Sequence, residues 1–232
     1  MKVIQDLEQV KAYLRDHCIE HIFNEGLVSH VSLYCFDQGE MICSQGEAFE
    51  HLYVLVKGKV KIYTTSPSGK TLILSFKIPV DVVGDIEYVQ DIPMINTVEA
   101  VTPVCMIGIH RRPLYNYGKE YAPLLHFLLQ IVTRKFHVKS DFLSFNLMHP
   151  VEVRLASYLL SVTSDESGTQ SGGRLNTLSL TDTANLIGTS YRHLNRVIRK
   201  MSEDGLIERS KGFILVNDRE RLCELAGRNI YE

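Results

Sequence analysis

The stretch Leu180–Val216, LTDTANLIGTSYRHLNRVIRKMSEDGLIERSKGFILV, leaves a folding chain few options. Ala184, Leu186 and Ile187 are apolar at helical spacing, and Thr181 and Asp182 offer N-cap oxygens ahead of them. Gly188 follows, a residue that takes positive φ without steric cost and lets the chain reverse sharply. Ser190 can cap a second helix, Tyr191–Ser202, with an inward stripe of Leu194, Val197, Ile198 and Met201. Gly205 then leads into two short β-rich runs, Ile207–Arg209 and Phe213–Val216, around the tip Ser210-Lys211-Gly212. Helix, tight turn, helix and hairpin in this order make a winged helix-turn-helix.

The outward face of the second helix carries Tyr191, Arg192, Asn195, Arg196 and Arg199. Arginine can pair bidentately with guanine and asparagine with adenine, and the N-terminal part of a recognition helix is what reaches base edges. Arg192, Asn195 and Arg196 are therefore expected to read bases in double-stranded DNA, with Tyr191 on a thymine methyl or a phosphate. Thr189 and Ser190 lie where a helix N-terminus meets backbone phosphate, and Lys211 would be a wing contact. Between Gly188 and Gly212 six Lys/Arg face three acids, a local balance of +3 in a chain of net charge −2. A merely solvated helix would mix signs on its outer face; here the acids come after the helix or in the hairpin.

The first half has a different texture. Leu52–Val56, Val60–Thr64 and Thr71–Phe76 are β-rich runs, and Gly39, Gly46, Gly58, Gly69 and Gly84 punctuate at roughly ten-residue intervals. Short strands so spaced suggest a small antiparallel sandwich or barrel. Ahead of them Val3, Ile4, Leu7, Val10 and Leu14 sit at helical spacing. From Tyr121 to Leu147 the period changes: Leu124, Leu128, Ile131, Val138, Phe142 and Phe145 step by three and four, interrupted at Lys135. That is an a/d seam on a helix ~40 Å long at ~1.5 Å per residue, to be buried against a second copy or, as the alternative, packed on the chain's own barrel. His149-Pro150 breaks it, Val151–Val162 is a further amphipathic helix, and Ser164–Asn176 reads as an exposed loop. The expected class is α+β: residues 1–112 an antiparallel β-barrel with an N-terminal helix, 113–148 a dimerisation helix, 149–232 the winged helix-turn-helix.

No apolar run approaches the ~20 residues needed to cross a bilayer, and the charged N-terminus lacks the apolar core of a signal peptide, so a cytoplasmic protein without membrane contact is expected. Five cysteines, an odd number, argue against a disulfide framework. An enzyme built on a metal-holding barrel would need clustered histidines; His30, His51 and His110 are scattered, without H-x-H spacing. An effector-independent architectural DNA-binding protein would not need so large a barrel.

Taken together, the two halves resemble the CRP/FNR family of bacterial transcription regulators, and the likeness runs along essentially the whole chain. Gly39-Glu40, Gly46-Glu47, Tyr53, Gly58 and Gly69 look like the recurrent glycines of its barrel and their neighbours. Val83-Gly84-Asp85-Ile86-Glu87 looks like its F-G-E-L segment, with Asp85 where Glu is usual. Ile86-Glu87 and Ser190-Tyr191-Arg192-His193-Leu194 resemble the YeiL-type subgroup. The resemblance implies a cyclic-nucleotide-binding-like jelly roll with an effector pocket at Gly84, Asp85, Ile86 and Glu87, a dimerisation helix, a homodimer on partly palindromic DNA, and RNA polymerase as a partner. The effector, a small molecule or a redox change, stays open, and so does the alternative of a regulator that has lost its effector. Members that bind cyclic nucleotides place an Arg about ten residues after the cassette Glu to pair with the phosphate. Here no Arg or Lys occurs between Lys77 and Arg111, so conventional cyclic-nucleotide binding is not expected. Where the family usually reads bases with Glu, Ser and Arg, this chain carries Arg192, Asn195 and Arg196, of which only the last matches, so the DNA site should differ from the common half-sites.

FNR-type members hold an iron–sulfur cluster through an N-terminal cysteine group and one barrel cysteine. Cys105 falls near the barrel position, and Cys18, Cys35 and Cys43 are the other candidates, without the close C-x₂-C spacing a cluster loop prefers. The alternatives are four structural thiols, a disulfide switch such as Cys35–Cys43, or a loose metal group of His17, Cys18 and His21.

Overall fold

The computed structural model describes residues 1–67, 69, 71–164, 174–176, 180–210 and 212–227, with the backbone alone at 162–164 and 174–176. The chain divides into two compact units, Met1–Phe136 and His137–Glu232.

The first unit opens with strand β1 (Lys2–Ile4), helix α1 (Leu7–Asp16) and a single turn α2 (Glu25–Val28). Val3 and Ile4 thus belong to a strand paired with Tyr34 and Leu33, not to the expected N-terminal helix. Asp6 explains the boundary: its carboxylate accepts from the amides of Glu8 and Gln9 and starts the helix after it. Val10 and Leu14 are buried beneath that helix. There follow β2 (Val31–Phe36), β3 (Met41–Cys43), β4 (His51–Lys57), β5 (Val60–Thr65), β6 (Thr71–Lys77), β7 (Asp81–Val83), helix α3 (Asp85–Gln90), β8 (Thr97–Ala100) and β9 (Val104–His110). The strands form two antiparallel sheets, ordered β1-β2-β9-β4-β7 and β3-β8-β5-β6. Crossovers between them place strands distant in sequence side by side, as in a jelly roll. One apolar cluster runs from Val10 through Leu33, Leu55, Val98 and Ile107 to Ile131.

A short turn α4 (Arg111–Pro113) leads to helix α5 (Ala122–Met148). Its expected seam is corrected here. Leu124, Leu128, Ile131 and Phe145 are all buried in the chain's own core, and Phe142 is half-buried. The apolar side chains that remain in solvent are Leu125, Leu129, Phe136, Val138, Leu143 and Leu147. Leu125, Leu129, Phe136 and Leu143 stand one residue after positions of the expected spacing, whereas Val138 is an expected seam residue that stays exposed.

The second unit holds α6 (Val151–Ser164), β10 (Arg174–Asn176), α7 (Leu180–Leu186), α8 (Tyr191–Glu203), β11 (Ile207–Ser210), β12 (Phe213–Val216) and α9 (Arg219–Ala226). Both ends of the expected loop Ser164–Asn176 are regular structure instead: Ser164 ends α6, and Arg174–Asn176 is a strand antiparallel to β12. Residues 165–173 lie outside the described residues. So does Ser179, which precedes α7; Thr181 and Asp182 lie inside that helix instead of capping it. The three-stranded sheet β10-β12-β11 backs the hairpin.

Candidate nucleic-acid interface and sensor cassette

Three local devices aim α8. Gly188 takes φ +66°, the left-handed conformation that a β-carbon disfavours. Arg154 of α6 reaches across that turn and donates to the carbonyls of Ile187 at 2.5 Å and Gly188 at 3.3 Å, oxygens left free at the end of α7. Ser190, in an extended conformation, accepts from the amide of His193 through its hydroxyl at 3.2 Å and starts the helix. Leu194, Val197, Ile198 and Met201 are buried, so the opposite face is forced outward.

That face presents Tyr191, Arg192, Arg196 and Arg199 exposed and Asn195 half-exposed, with Ser190 exposed and Thr189 half-buried at its N-terminal end. Arg199 is tied to Glu203 one turn on, Nε to Oε1 at 2.9 Å. Asn195 is engaged at both ends of its amide: Nδ2 donates to the Tyr191 carbonyl at 3.0 Å, and Oδ1 accepts from Arg209 at 3.0 Å. Arg209 comes from β11, and between that strand and α8 lies an open groove of about 580 Å³ lined by Asn195, Arg196, Arg199, Glu203 and Arg209. The sequence reading missed Arg209. The signal available was its place in a hairpin that immediately follows α8, where an arginine can fold back on the helix. Lys211 lies outside the described residues.

In the first unit, Gly84 sits at φ +92°, and a β-carbon there would stand 2.8 Å from Phe49 and 3.0 Å from the His51 carbonyl. Asp85 begins α3, and it and Glu87 are buried, while Ile86 is half-buried. Both carboxylates are already partnered. Glu87 accepts from the Ile95 amide at 3.0 Å. Asp85 receives Lys135 of α5 at 2.9 Å, and the same ammonium meets Asp81 at 3.0 Å and the Val82 carbonyl at 2.6 Å. Lys77 closes on Asp81 from the other side at 3.3 Å. The lysine that interrupts the apolar spacing of α5 is thus a buried cation, its side chain 14% exposed, serving two buried carboxylates.

A wall of rings stands on β2 and β4. Tyr34 meets Tyr53 at 5.2 Å and His51 at 5.3 Å, and His51 meets His110 at 5.1 Å. Gly108 of β9 makes room, since a β-carbon there would fall 2.5 Å from the Tyr34 ring. Burial, with the neighbouring His110, holds the His51 imidazole below its ordinary pKa. Burial raises the Tyr53 hydroxyl, and it pushes the Cys43 thiol up to about 12, helped by the charge of Glu87.

The four cysteines proposed for a cluster do not converge. Cys35 and Cys105 face each other, Sγ to Sγ at 2.9 Å. Cys43 is in the other sheet with its sulfur against the Asn96 carbonyl, and Cys18 is exposed at the end of α1. Cys35 therefore pairs with Cys105 and not with Cys43. Among the described residues no three His, Cys, Asp or Glu side chains are grouped to hold a metal. His17 instead bonds the Val56 carbonyl at 2.9 Å. These donors do not fit an iron–sulfur cluster.

Comparison with known proteins returns the same two parts. Residues 35–121 match the cyclic nucleotide-binding domain, and residues 153–225 match the Crp-like helix-turn-helix domain. A CRP-like cAMP-activated global transcriptional regulator from Mycobacterium tuberculosis is 26% identical over 194 residues, covering 82% of this chain and 86% of that protein. Regulatory protein YeiL of Escherichia coli O157:H7 is 27% identical over 214 residues, covering 89% and 93%. The crystal structure of a CRP-family transcriptional regulator from Thermus thermophilus superposes with TM-score 0.71 over 85% of this chain and 98% of that one, at 22% identity, a likeness of fold. No helix among the described residues is long and apolar enough to cross a membrane.

Proposed function

The chain belongs to the CRP/FNR family of transcription regulators, and from that premise we propose that it acts as a homodimer that reads a two-fold symmetric DNA site. The observation that carries the reading is α8: its apolar side is fully buried, and its other side offers Tyr191, Arg192 and Arg196 to solvent at a capped helix start. Arg192 and Arg196 are the base readers of this proposal. Thr189 and Ser190 are its phosphate contacts. Asn195 reads only if it leaves Arg209 and the Tyr191 carbonyl, and Arg199 only if it leaves Glu203. The exposed stripe Leu125, Leu129, Phe136, Leu143 and Leu147 supports a helix pair between two copies, which would remove those side chains from water. RNA polymerase is the expected partner of the DNA-bound dimer, in the cytoplasm.

The barrel, in this reading, does not take a cyclic phosphodiester in the conventional way. The support is that no Lys or Arg lies between Lys77 and Arg111, and that Asp85 and Glu87 are each held by the chain itself. Arg111, the next cation, is paired with Asp91 at 3.3 Å. Selection from a random duplex library at fixed, near-physiological salt tests the proposal, since phosphate contacts make affinity steeply salt-dependent. A symmetric site with half-sites about one helical turn, ~34 Å, apart supports it. Enrichment of asymmetric or unrelated sequences overturns the dimeric reader.

A further inference from the structure

We propose that Cys35 and Cys105 form an oxidisable dithiol, at which a hydroperoxide is reduced and an intrachain disulfide joins β2 to β9. Three observations carry this. The residues are direct cross-strand partners in the antiparallel β2–β9 pair. Opposite residues in such a pair have Cα atoms ~4.5–5.5 Å apart, within the ~4.4–6.8 Å that a disulfide spans, so the bond needs no backbone movement. Their sulfurs already stand 2.9 Å apart, closer than two non-bonded sulfurs normally approach. Both residues are half-buried, open to a small oxidant.

The surroundings divide the roles. Loss of water around Cys35, with the neighbouring Cys105, pushes its thiol up to about 11, which makes it a poor first nucleophile. That leaves Cys105, beside the Tyr13 hydroxyl of α1, as the sulfur that attacks first. The Cys105 thiolate attacks the terminal oxygen of the hydroperoxide. An S–O bond forms, the O–O bond breaks, and the leaving oxygen takes a proton to become an alcohol, or water when the oxidant is hydrogen peroxide. The Cys35 sulfur then attacks the Cys105 sulfenic acid. The S–S bond forms, the S–O bond breaks, and the hydroxyl leaves as water with the Cys35 proton. Two thiols lose two electrons and the peroxide gains them. Among the described residues, Cys43 in the other sheet and the exposed Cys18 and Cys223 have no sulfur opposite them.

The site stands independently of the DNA-reading proposal, and its test does too. The full chain is treated with hydrogen peroxide at neutral pH, quenched, denatured and alkylated, and the disulfide-linked peptides are mapped by mass spectrometry. The expected product has no interchain disulfide, is about 2 Da lighter before alkylation, and yields a Cys35–Cys105 linked peptide, three alkylated cysteines and full reversal by dithiothreitol. Its thermal midpoint should rise, and Cys35→Ser or Cys105→Ser should each abolish the link. Bridging to Cys18, Cys43 or a second chain overturns the proposal, as does a sulfinic acid as main product; both are read on the natural sequence, whether or not the variants fold.

Discussion

Replacing Lys135 by methionine isolates the cost of the buried charge cluster, because methionine keeps the apolar stem and removes only the ammonium. Lys135 serves two carboxylates, but their fates differ. Asp81 retains Lys77 at 3.3 Å, whereas among the described residues the one cation within 4 Å of Asp85 is Lys135. The loss therefore falls on a single carboxylate whose side chain is 5% exposed. Removing one partner of a buried pair costs ~3–5 kcal/mol. Asp85 is also the first residue of α3, where the helix dipole returns ~0.5 kcal/mol of that. The net expectation for Lys135→Met is about 3 kcal/mol. With a urea m-value of ~2–3 kcal/mol/M, the midpoint of the first unit's transition drops by ~1–1.5 M. Urea titration followed by tyrosine fluorescence measures it, the chain having no tryptophan. Adding Asp85→Asn removes the stranded charge and should recover most of the loss, to within about 1 kcal/mol of the natural protein. A loss under ~1 kcal/mol for the single variant, or no recovery in the double, refutes the claim that Lys135 balances Asp85.

Three further outcomes are expected. Arg192→Ala should weaken binding to the selected site by ~1–3 kcal/mol and leave random duplex nearly unchanged in a competition assay; equal losses on both would end its base-reading role. Phe136→Glu should give a monomer in sedimentation velocity, since Phe136 is 72% exposed and has little intrachain burial to lose; a persistent dimer would place the interface elsewhere. His51 is held below its ordinary pKa and packs against Tyr34, Tyr53 and His110, with Glu50 beside His110 at 3.4 Å. Its folded-state pKa is depressed, so its contribution is present above the unfolded value of ~6.5 and is lost as pH falls through the folded one. His51→Gln should accordingly flatten the fall in stability between about pH 7 and pH 5, and an unchanged slope would count against it.

Local signals were the legible ones. The capped start at Ser190, the turn at Gly188 and the inward stripe Leu194, Val197, Ile198 and Met201 all stand where the sequence places them, because each depends on residues within a few positions of one another. The β-rich runs around Lys57-Gly58 likewise become β4 and β5. The arginine that holds Asn195 is different: it lies fourteen positions away, and only the packing of β11 beside α8 brings it there.

Helix α5 shows where sequence stops deciding. Its sequence determined that it is a helix and that it is apolar along its length. It did not determine which stripe faces inward: Leu124, Leu128 and Ile131 repeat with the same steps as Leu125, Leu129 and Val132, and either set satisfies the period. The tertiary structure chose by burying the first set in the core of the chain and seating Lys135 beside Asp81 and Asp85, which leaves Phe136 on the open side. The pairing of Cys35 with Cys105 was decided in the same way, by strand register. Periodicity measures how apolar residues are spaced along one element; which of them leave water depends on surfaces supplied by residues far away in the chain.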